Sequence, residues 1–496
     1  MAEQFDAEYD VVVIGGGISG LAAALQATKD GLTCALLEKE AKVGGSSSFA
    51  EGHAAFESDE QIKRGIHVSK IEAYERYLTY SHWRADAAVV SRFVENAATS
   101  IVKLRDELGV VYEDVQITAP DQPEELQTWH LPQGEIAHVI ELQEAEARRR
   151  GVDIFLSTPA KRILKEDGKV VGVAAQDSDG KAVTLGAKAV VVGTGGFAAN
   201  PEMLDKYSKF NVGSKMINVG GPGNTGDGIN MLIEAGAVPS RNIGCLLLFP
   251  FMRDKAIVSE TNCAGFQPYL WVDKFGRRFT DEIIGLNFGH AGDLVAALPD
   301  GHYWAIIGQE QIRKLVNVGN EVGLGIYIYN YAKLPGLAAE IAADAADPNR
   351  TNVQGADSIE GLAAKIGIDP AVLAAQVAEY NGYCAAGVDT KYHKEAKYLI
   401  PVAKGPFYAV KMEVGIMISM GAMEIDDRWR AIDADSRAIP GLYVVGCDAA
   451  GLWGESYSLP IPGSANGFSL TSGWLAADDI AARIAAGELG KVAVPA

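Results

Sequence analysis

The chain has 496 residues, a net charge of −20, 48% hydrophobic and 22% charged residues, which is too long for one core, ordinary for a globular protein, and too acidic to favour a nucleic acid or an anionic membrane surface. Its five cysteines (34, 245, 263, 384 and 447) are scattered without a CxxC pair, and its eight histidines lack metal-ligand spacing, so a disulfide scaffold, a zinc site and an attached c-type haem are all excluded. The acidic opening MAEQFDAEYD has no apolar signal core, and no apolar run reaches the ~18 residues of a membrane span, so the reading is a cytoplasmic protein with no membrane span.

The first element is the β-branched run Val11 to Ile14, which reads as a strand buried on both faces. Gly15, Gly17 and Gly20 follow as G-x-G-x-x-G at the entry to a small-residue helix. In that pattern the first glycine allows a tight turn, the second lets backbone approach a pyrophosphate, and the third packs helix on strand. The helix start supplies free N–H groups and a positive dipole. A second strand, CALLE, ends on Glu38, where a carboxylate can accept from both ribose hydroxyls and disfavours a 2′-phosphate. Strand, glycine turn, helix, strand and terminal Glu together point to an adenine dinucleotide other than NADP.

Polar, helix-rich sequence follows over 60–110, then a strand pair over 152–186 turned by DSDGKAV. Two further segments repeat the strand-then-glycine pattern: AKAVVVGTGGFAAN (187–200) and IPGLYVVGCDAAG (439–451). The middle, 245–335, holds aromatic strand-like runs such as YLWVD and GIYIYNY, and 337–395 is alanine-rich and helical. The nucleotide pattern thus lies in the first half and at the C-terminal end, with a second unit inserted between.

The opening motif with EKEAKVGGSS, then GTGGF, GNTGDGINMLIEAGA, FGRRFTDE, VAEYNGYCAAGVD, GPFYA and GLYVVGCDAAGLWG, resembles in order the fumarate reductase/succinate dehydrogenase flavoprotein superfamily, which includes the 3-ketosteroid dehydrogenases. The resemblance implies FAD and an α/β fold: a Rossmann-like, three-layer ββα FAD-binding domain (1–245 and 418–496) interrupted by an α+β capping domain (246–417), with the active site between them. It assigns to the cofactor Gly15, Gly17, Ile18, Ser19, Gly20, Glu38, Lys39, Gly44, Gly45, Ser46, Ser47, Ser48, Gly52, Gly193, Thr194, Gly195, Gly196, Asn224, Thr225, Gly226, Asp227, Gly446 and Asp448. Ser464, Ala465 and Asn466 join them at the start of the last helix, whose dipole is expected to face the flavin. VGGSS and GPGNTGDG can also be read as plain loops, and Arg277 and Arg278 as a solvated hairpin. Members that attach FAD through histidine carry it just past the double glycine; here that place reads SSSFAEG (46–52) and His53 falls beyond it, so dissociable FAD is expected.

The resemblance also allows the dicarboxylate clamp of the fumarate reductases to be looked for. Phe249 in LLFPF, Leu286 after RFTDE, and Ile418 and Ser419 in MISMGAM stand where histidines, an arginine and a threonine are expected, and GESYSLPIPGSANG has no arginine. A desolvated carboxylate needs charged partners. The last segment instead resembles the ketosteroid dehydrogenase stretch in which a tyrosine and a glycine N–H hold a ketone, with Tyr457 and Gly463 in those places and two extra residues between them. Tyr457 can also be read as a packed aromatic. The family's tyrosine base has no counterpart in IIGLNFGH; Tyr269, Tyr327, Tyr329, Tyr331 and His130 are candidate acids or bases. Glu260 matches a relay glutamate whose arginine partner is replaced by Cys263. The expected function is an FAD-dependent oxidoreductase acting on the CH–CH bond α,β to a cyclic or steroid-like ketone, in either direction, with an unidentified electron donor or acceptor. The alternatives are reduction of another activated alkene, such as an unsaturated acid held by Arg253, Arg277 or Arg278, and flavin binding without catalysis.

Overall fold

A computed structural model describes residues 5–118, 124–210, 213–325 and 327–490. The strand Ala7–Ile14 is fully buried over its last four residues. It runs parallel to Cys34–Leu37 on one side and to Ala182–Val192 on the other. The sheet continues outward through Asp153–Phe155 at one edge and through Ala438–Val444 and Arg430–Ile432 at the other. The chain therefore leaves the first strand toward one neighbour and returns later on the opposite side. In an open parallel sheet that reversal leaves a crevice at the carboxyl ends of the strands.

Ala182–Val192 is extended by a meander, Ala160–Glu166 and Lys169–Gln176, joined to it through the Asp177–Gly180 turn. The helix Ile18–Lys29 is buried along ten of its twelve residues. It packs against Ser464–Ala485, which packs in turn against Ala87–Leu108. Sequence ends meet here: the first helix and the last share one interface. Lys70–Tyr80 and Ala87–Leu108 fill the helix-rich stretch and start on side-chain caps from Ser69 and Asp86.

The middle of the chain builds a second, six-stranded sheet around the long strand Phe407–Met420. That strand takes Cys245–Phe251, His302–Ile307 and Val353–Ala356 as antiparallel partners, with Leu270–Val272 beyond and Ile217–Asn218 added in parallel. YLWVD is thus a strand. GIYIYNY is not: glycines 323 and 325 let the chain fold back, Leu324 N–H bonds the Ile328 carbonyl, and Tyr329 and Tyr331 point outward. The helices Leu337–Ala346, Ile359–Lys365 and Pro370–Ala386 complete this part.

FGRRFTDE is a tight turn followed by irregular chain, and it carries two different arginines. Arg277 is exposed, whereas the Arg278 side chain is fully buried in ion pairs with Glu282 and Asp389, and Lys394 closes on Glu282 at 2.9 Å. Such a buried network costs several kcal/mol if one partner is removed.

Candidate active site

A cleft of about 420 Å³ opens at the carboxyl ends of the first sheet, where Ile14 and Leu37 end their strands and Gly193 follows the strand that ends on Val192. Gly15 lies at φ +105°, and a Cβ there would sit 2.3 Å from the Gly193 carbonyl oxygen. A Cβ on Gly20 would sit 1.9 Å from the Gly15 carbonyl oxygen, so helix and strand touch where glycine was expected to allow it. Gly17 behaves differently. It precedes the helix without a side-chain cap, and a Cβ there meets only the Gly44 carbonyl oxygen, at 3.9 Å, so a side chain would grow into the cleft. That open space in front of uncapped helix N–H groups is the cradle that a pyrophosphate requires.

Glu38 accepts the Gly16 N–H at 2.7 Å and the Glu40 N–H at 2.8 Å, keeping further lone pairs for the cleft. Burial raises its carboxyl above the ordinary range, and those two N–H groups offset part of the rise. Ser46 turns its hydroxyl to Gly221 N–H and Asn224 Nδ2, while Lys39 is held by Thr225 and Asp227. Of the expected cofactor residues, those from Gly15 to Ser19, Glu38, Lys39, Gly44 to Ser48, Gly193 to Gly195, Asn224 and Asp227 line the cleft. Its walls also include Gly221 to Gly223, the start of the GPGNTGDG segment, and Pro159 and Ala160, which sequence reasoning missed.

Some expected residues stand behind the cleft instead. Asp448 is fully buried and accepts the N–H groups of Thr194 and Gly196, so it ties two strand ends together. Gly20, Gly196, Thr225, Gly226 and Gly446 do not line it. The Ser464 hydroxyl is engaged by Tyr77 and the Ile461 carbonyl and turns away, whereas Ala465 and Asn466 line the neighbouring cavity, and so does Gly52.

That cavity, about 220 Å³, meets the cleft at Ser46, Ser47, Phe49, Cys447 and Ser469. Its wall is apolar: Leu247, Phe249, Ile257, Leu286, Phe288, Val322, Leu324, Met417, Ile418, Leu459 and Pro462 all contribute. Phe249, Leu286 and Ile418, three of the four residues standing where the resemblance expects clamp side chains, thus come together from three distant segments, whereas Ser419 lies off the cavity and accepts the Phe197 N–H at 2.7 Å. Among the described residues no Lys, Arg or His lines it, and Glu51 is its one carboxylate. Arg253 and Arg278 are spent on Glu413 and on Glu282 and Asp389, and Arg277 is exposed away from it.

Tyr457 and Gly463 both line the cavity. The Tyr457 oxygen accepts the Ala465 N–H at 3.4 Å, at the start of the last helix. With that lone pair used, its own proton is free to point into the cavity. Burial raises the hydroxyl to about 12, against the pull of the Ala465 and Ser464 N–H groups, so it stays protonated at neutral pH. Asn466 is nine-tenths buried and leaves its Nδ2 without a partner at the same helix start.

The other candidate acids separate. Tyr327 lines the cavity; Tyr329 and Tyr331 are exposed. Tyr269 is a correction: it is 1% exposed and absent from the cavity wall, packed in the core beside the strand Leu270–Val272. His130 is likewise buried between Ser58 and the Thr128 carbonyl, at 2.6 and 2.7 Å. Glu260 and Cys263 lie off the cavity, with the Cys263 thiol facing Gln267 and Asn320.

A family of FAD binding domains matches residues 10–460. The vinyl phenol reductase of Lactiplantibacillus plantarum is 34% identical over 477 residues, covering 94% of each chain. The 3-oxosteroid 1-dehydrogenase of Mycolicibacterium smegmatis is 25% identical, covering 97% of this chain and 99% of that protein. Among solved structures, the open conformation of a flavocytochrome c3 fumarate reductase superposes with a TM-score of 0.75 at 25% identity, over 96% of this chain and 79% of that one.

Proposed function

The chain belongs to the FAD binding domain family and acts with FAD on CH–CH bonds; from that premise we propose that it reduces an uncharged alkene conjugated to an oxygen function, an enone or a vinyl phenol, carried on a single ring. The observation that carries this reading is the apolar wall of Phe249, Leu286 and Ile418 with no cation among the lining residues. An unsaturated acid would lose its hydration there without gaining a charged partner. The volume of about 220 Å³ lies below the roughly 300–1,000 Å³ of drug-sized sites, which favours one ring over a steroid nucleus. The direction is supported by the full-length similarity to a vinyl phenol reductase.

In this reading residues 1–245 and 418–496 form the flavin domain and 246–417 the capping domain. Gly15 to Ser19 and Glu38 would hold the dinucleotide, and Ala465 and Asn466, at the start of the last helix, would stand beside the ring system. Bound FAD supplies the hydride. His53, the nearest histidine past the double glycine, is buried and turned to Tyr112 at 2.8 Å, which supports a dissociable cofactor. With an enone, Tyr457 donates to the substrate oxygen, and the bond strengthens as negative charge spreads onto that oxygen while the alkene is reduced. Apolar side chains keep water out, so the donor is not diluted by competing hydrogen bonds.

The test is anaerobic mixing of dithionite-reduced enzyme with a vinyl phenol, cyclohexenone and fumarate, following flavin absorbance. Reoxidation by one or both of the first two and none by fumarate is expected. Reoxidation by fumarate alone would overturn the proposal.

A further inference from the structure

We propose that Tyr327 delivers the proton that completes alkene reduction, at the carbon that does not receive the hydride; this rests on the ene-reduction reading above. The reaction needs such a proton, and the cavity has few sources. Four of its described lining residues carry a titratable proton: Glu51, Tyr327, Cys447 and Tyr457. Cys447 lines the cofactor cleft as well. Tyr457 is anchored at the helix start and assigned to the substrate oxygen. Tyr327 reaches the cavity from another direction, on the loop between the helices Gln309–Asn317 and Leu337–Ala346.

That loop is fixed where it meets the cavity. The Asn330 side chain accepts the Gly323 N–H at 2.6 Å and donates to the Thr118 carbonyl at 2.7 Å, tying the loop to the first part of the chain. Gly325 lies at φ +59°, and a Cβ there would be 2.3 and 2.4 Å from the two Glu51 oxygens. The positive φ favours glycine here and lets the backbone approach the Glu51 carboxylate, and Tyr327 follows two residues later. The groups facing Tyr327 are therefore Glu51 and Glu135, both acidic; burial, then these two charges, hold its hydroxyl above the ordinary value and keep it protonated into alkaline solution. A general acid must carry its proton at working pH.

The balance is simple. As the alkene takes a hydride from reduced flavin at one carbon, the Tyr327 O–H bond breaks, its proton joins the other carbon through the electron pair of the double bond, and the phenolate recovers a proton from solvent. Tyr327 is the catalytic residue in this step, and Glu51 a positioning residue that acts through it.

Reduced Tyr327→Phe enzyme mixed with a vinyl phenol or cyclohexenone should reoxidise ~10²–10³ times more slowly than wild type, with unchanged FAD absorbance. In D₂O the dithionite-reduced wild-type enzyme should place one deuterium on each alkene carbon, because both hydrogens then come from solvent, and on opposite faces. Glu51→Gln should shift the alkaline limb of kcat to lower pH, because one negative neighbour of Tyr327 is gone; a purely structural Glu51 would leave that limb in place. Should Tyr327→Phe not hold FAD, the Glu51→Gln profile decides. A Tyr327→Phe rate within threefold of wild type, or superimposable pH profiles, would overturn the proposal. Absence of any alkene turnover by the wild-type enzyme would overturn the ene-reduction reading itself.

Discussion

The cofactor cleft and the substrate cavity adjoin at five residues, yet they are built from different materials. The cleft is made largely of glycines and backbone N–H groups, with the carboxylates of Glu38, Glu40 and Asp227, drawn largely from short segments after strands. The cavity is made of side chains from many distant segments, from Ser46 to Ser469. Backbone recognition depends on local geometry and tolerates few sequences; an apolar wall depends on total shape and tolerates many. The pair shows how one chain can meet a strict cofactor pattern with backbone while its neighbouring cavity is shaped by side chains such as Phe249, Leu286 and Ile418.

The contrast is sharpest at two glycines of the same motif. Gly17→Leu places a side chain into open cleft space, so a folded, colourless protein is expected, seen as normal far-ultraviolet dichroism without flavin absorbance. Gly20→Ala drives a methyl into the Gly15 carbonyl at 1.9 Å and should lose the fold instead. Were Gly17→Leu to keep its FAD, the assignment of the first turn to the pyrophosphate would fail.

On the cavity side, Tyr457→Phe keeps the ring and removes one donor. One oxyanion donor is worth ~10²–10³ in rate, and the loss should fall on kcat and kcat/KM together because the bond strengthens toward the transition state. Near-normal steady-state turnover with full flavin would place the substrate oxygen elsewhere.

Glu38→Ala returns to the cleft with a smaller effect. Removing a carboxylate that can bond the ribose should weaken FAD by about 1.5–3 kcal/mol, measured by flavin fluorescence on dilution. The same change frees the Gly16 and Glu40 N–H groups, so part of the loss should appear as a lower melting temperature of the apoprotein.

The last expectation concerns neither site directly. His53 and His130 are buried and neutral behind Gly463, and burial lowers them to about 3 and about 4 from an ordinary 6.5. Folded-state values below the unfolded value mean that the unfolded chain binds more protons under pH 6.5. Stability contributed by the neutral rings is therefore full above that pH and falls as pH drops toward 4, by about 1 kcal/mol per histidine for each unit. Melting curves between pH 7 and 5 should show the decline, and a His53→Gln, His130→Gln double variant should flatten it. An unchanged slope in that variant would assign the acid lability to the carboxylates.

The sequence by itself determined the first strand, the glycine turn, Glu38 and the repeat of strand-then-glycine at 193 and 446, because each is a local pattern whose spacing carries its geometry. It also named Phe249, Leu286 and Ile418 as replacements for charged side chains. Only the tertiary structure decided that these three face one cavity, that Tyr269 and His130 are packed in cores, and that Asp448 ties strands together behind the cleft. It likewise separated Tyr327 from Tyr329 and Tyr331, which a strand-like reading had put on one face. Whether a side chain faces a cavity, the core or solvent depends on partners from far along the chain, such as Asn330 on Thr118 or Gly325 on Glu51. No local periodicity records those pairings.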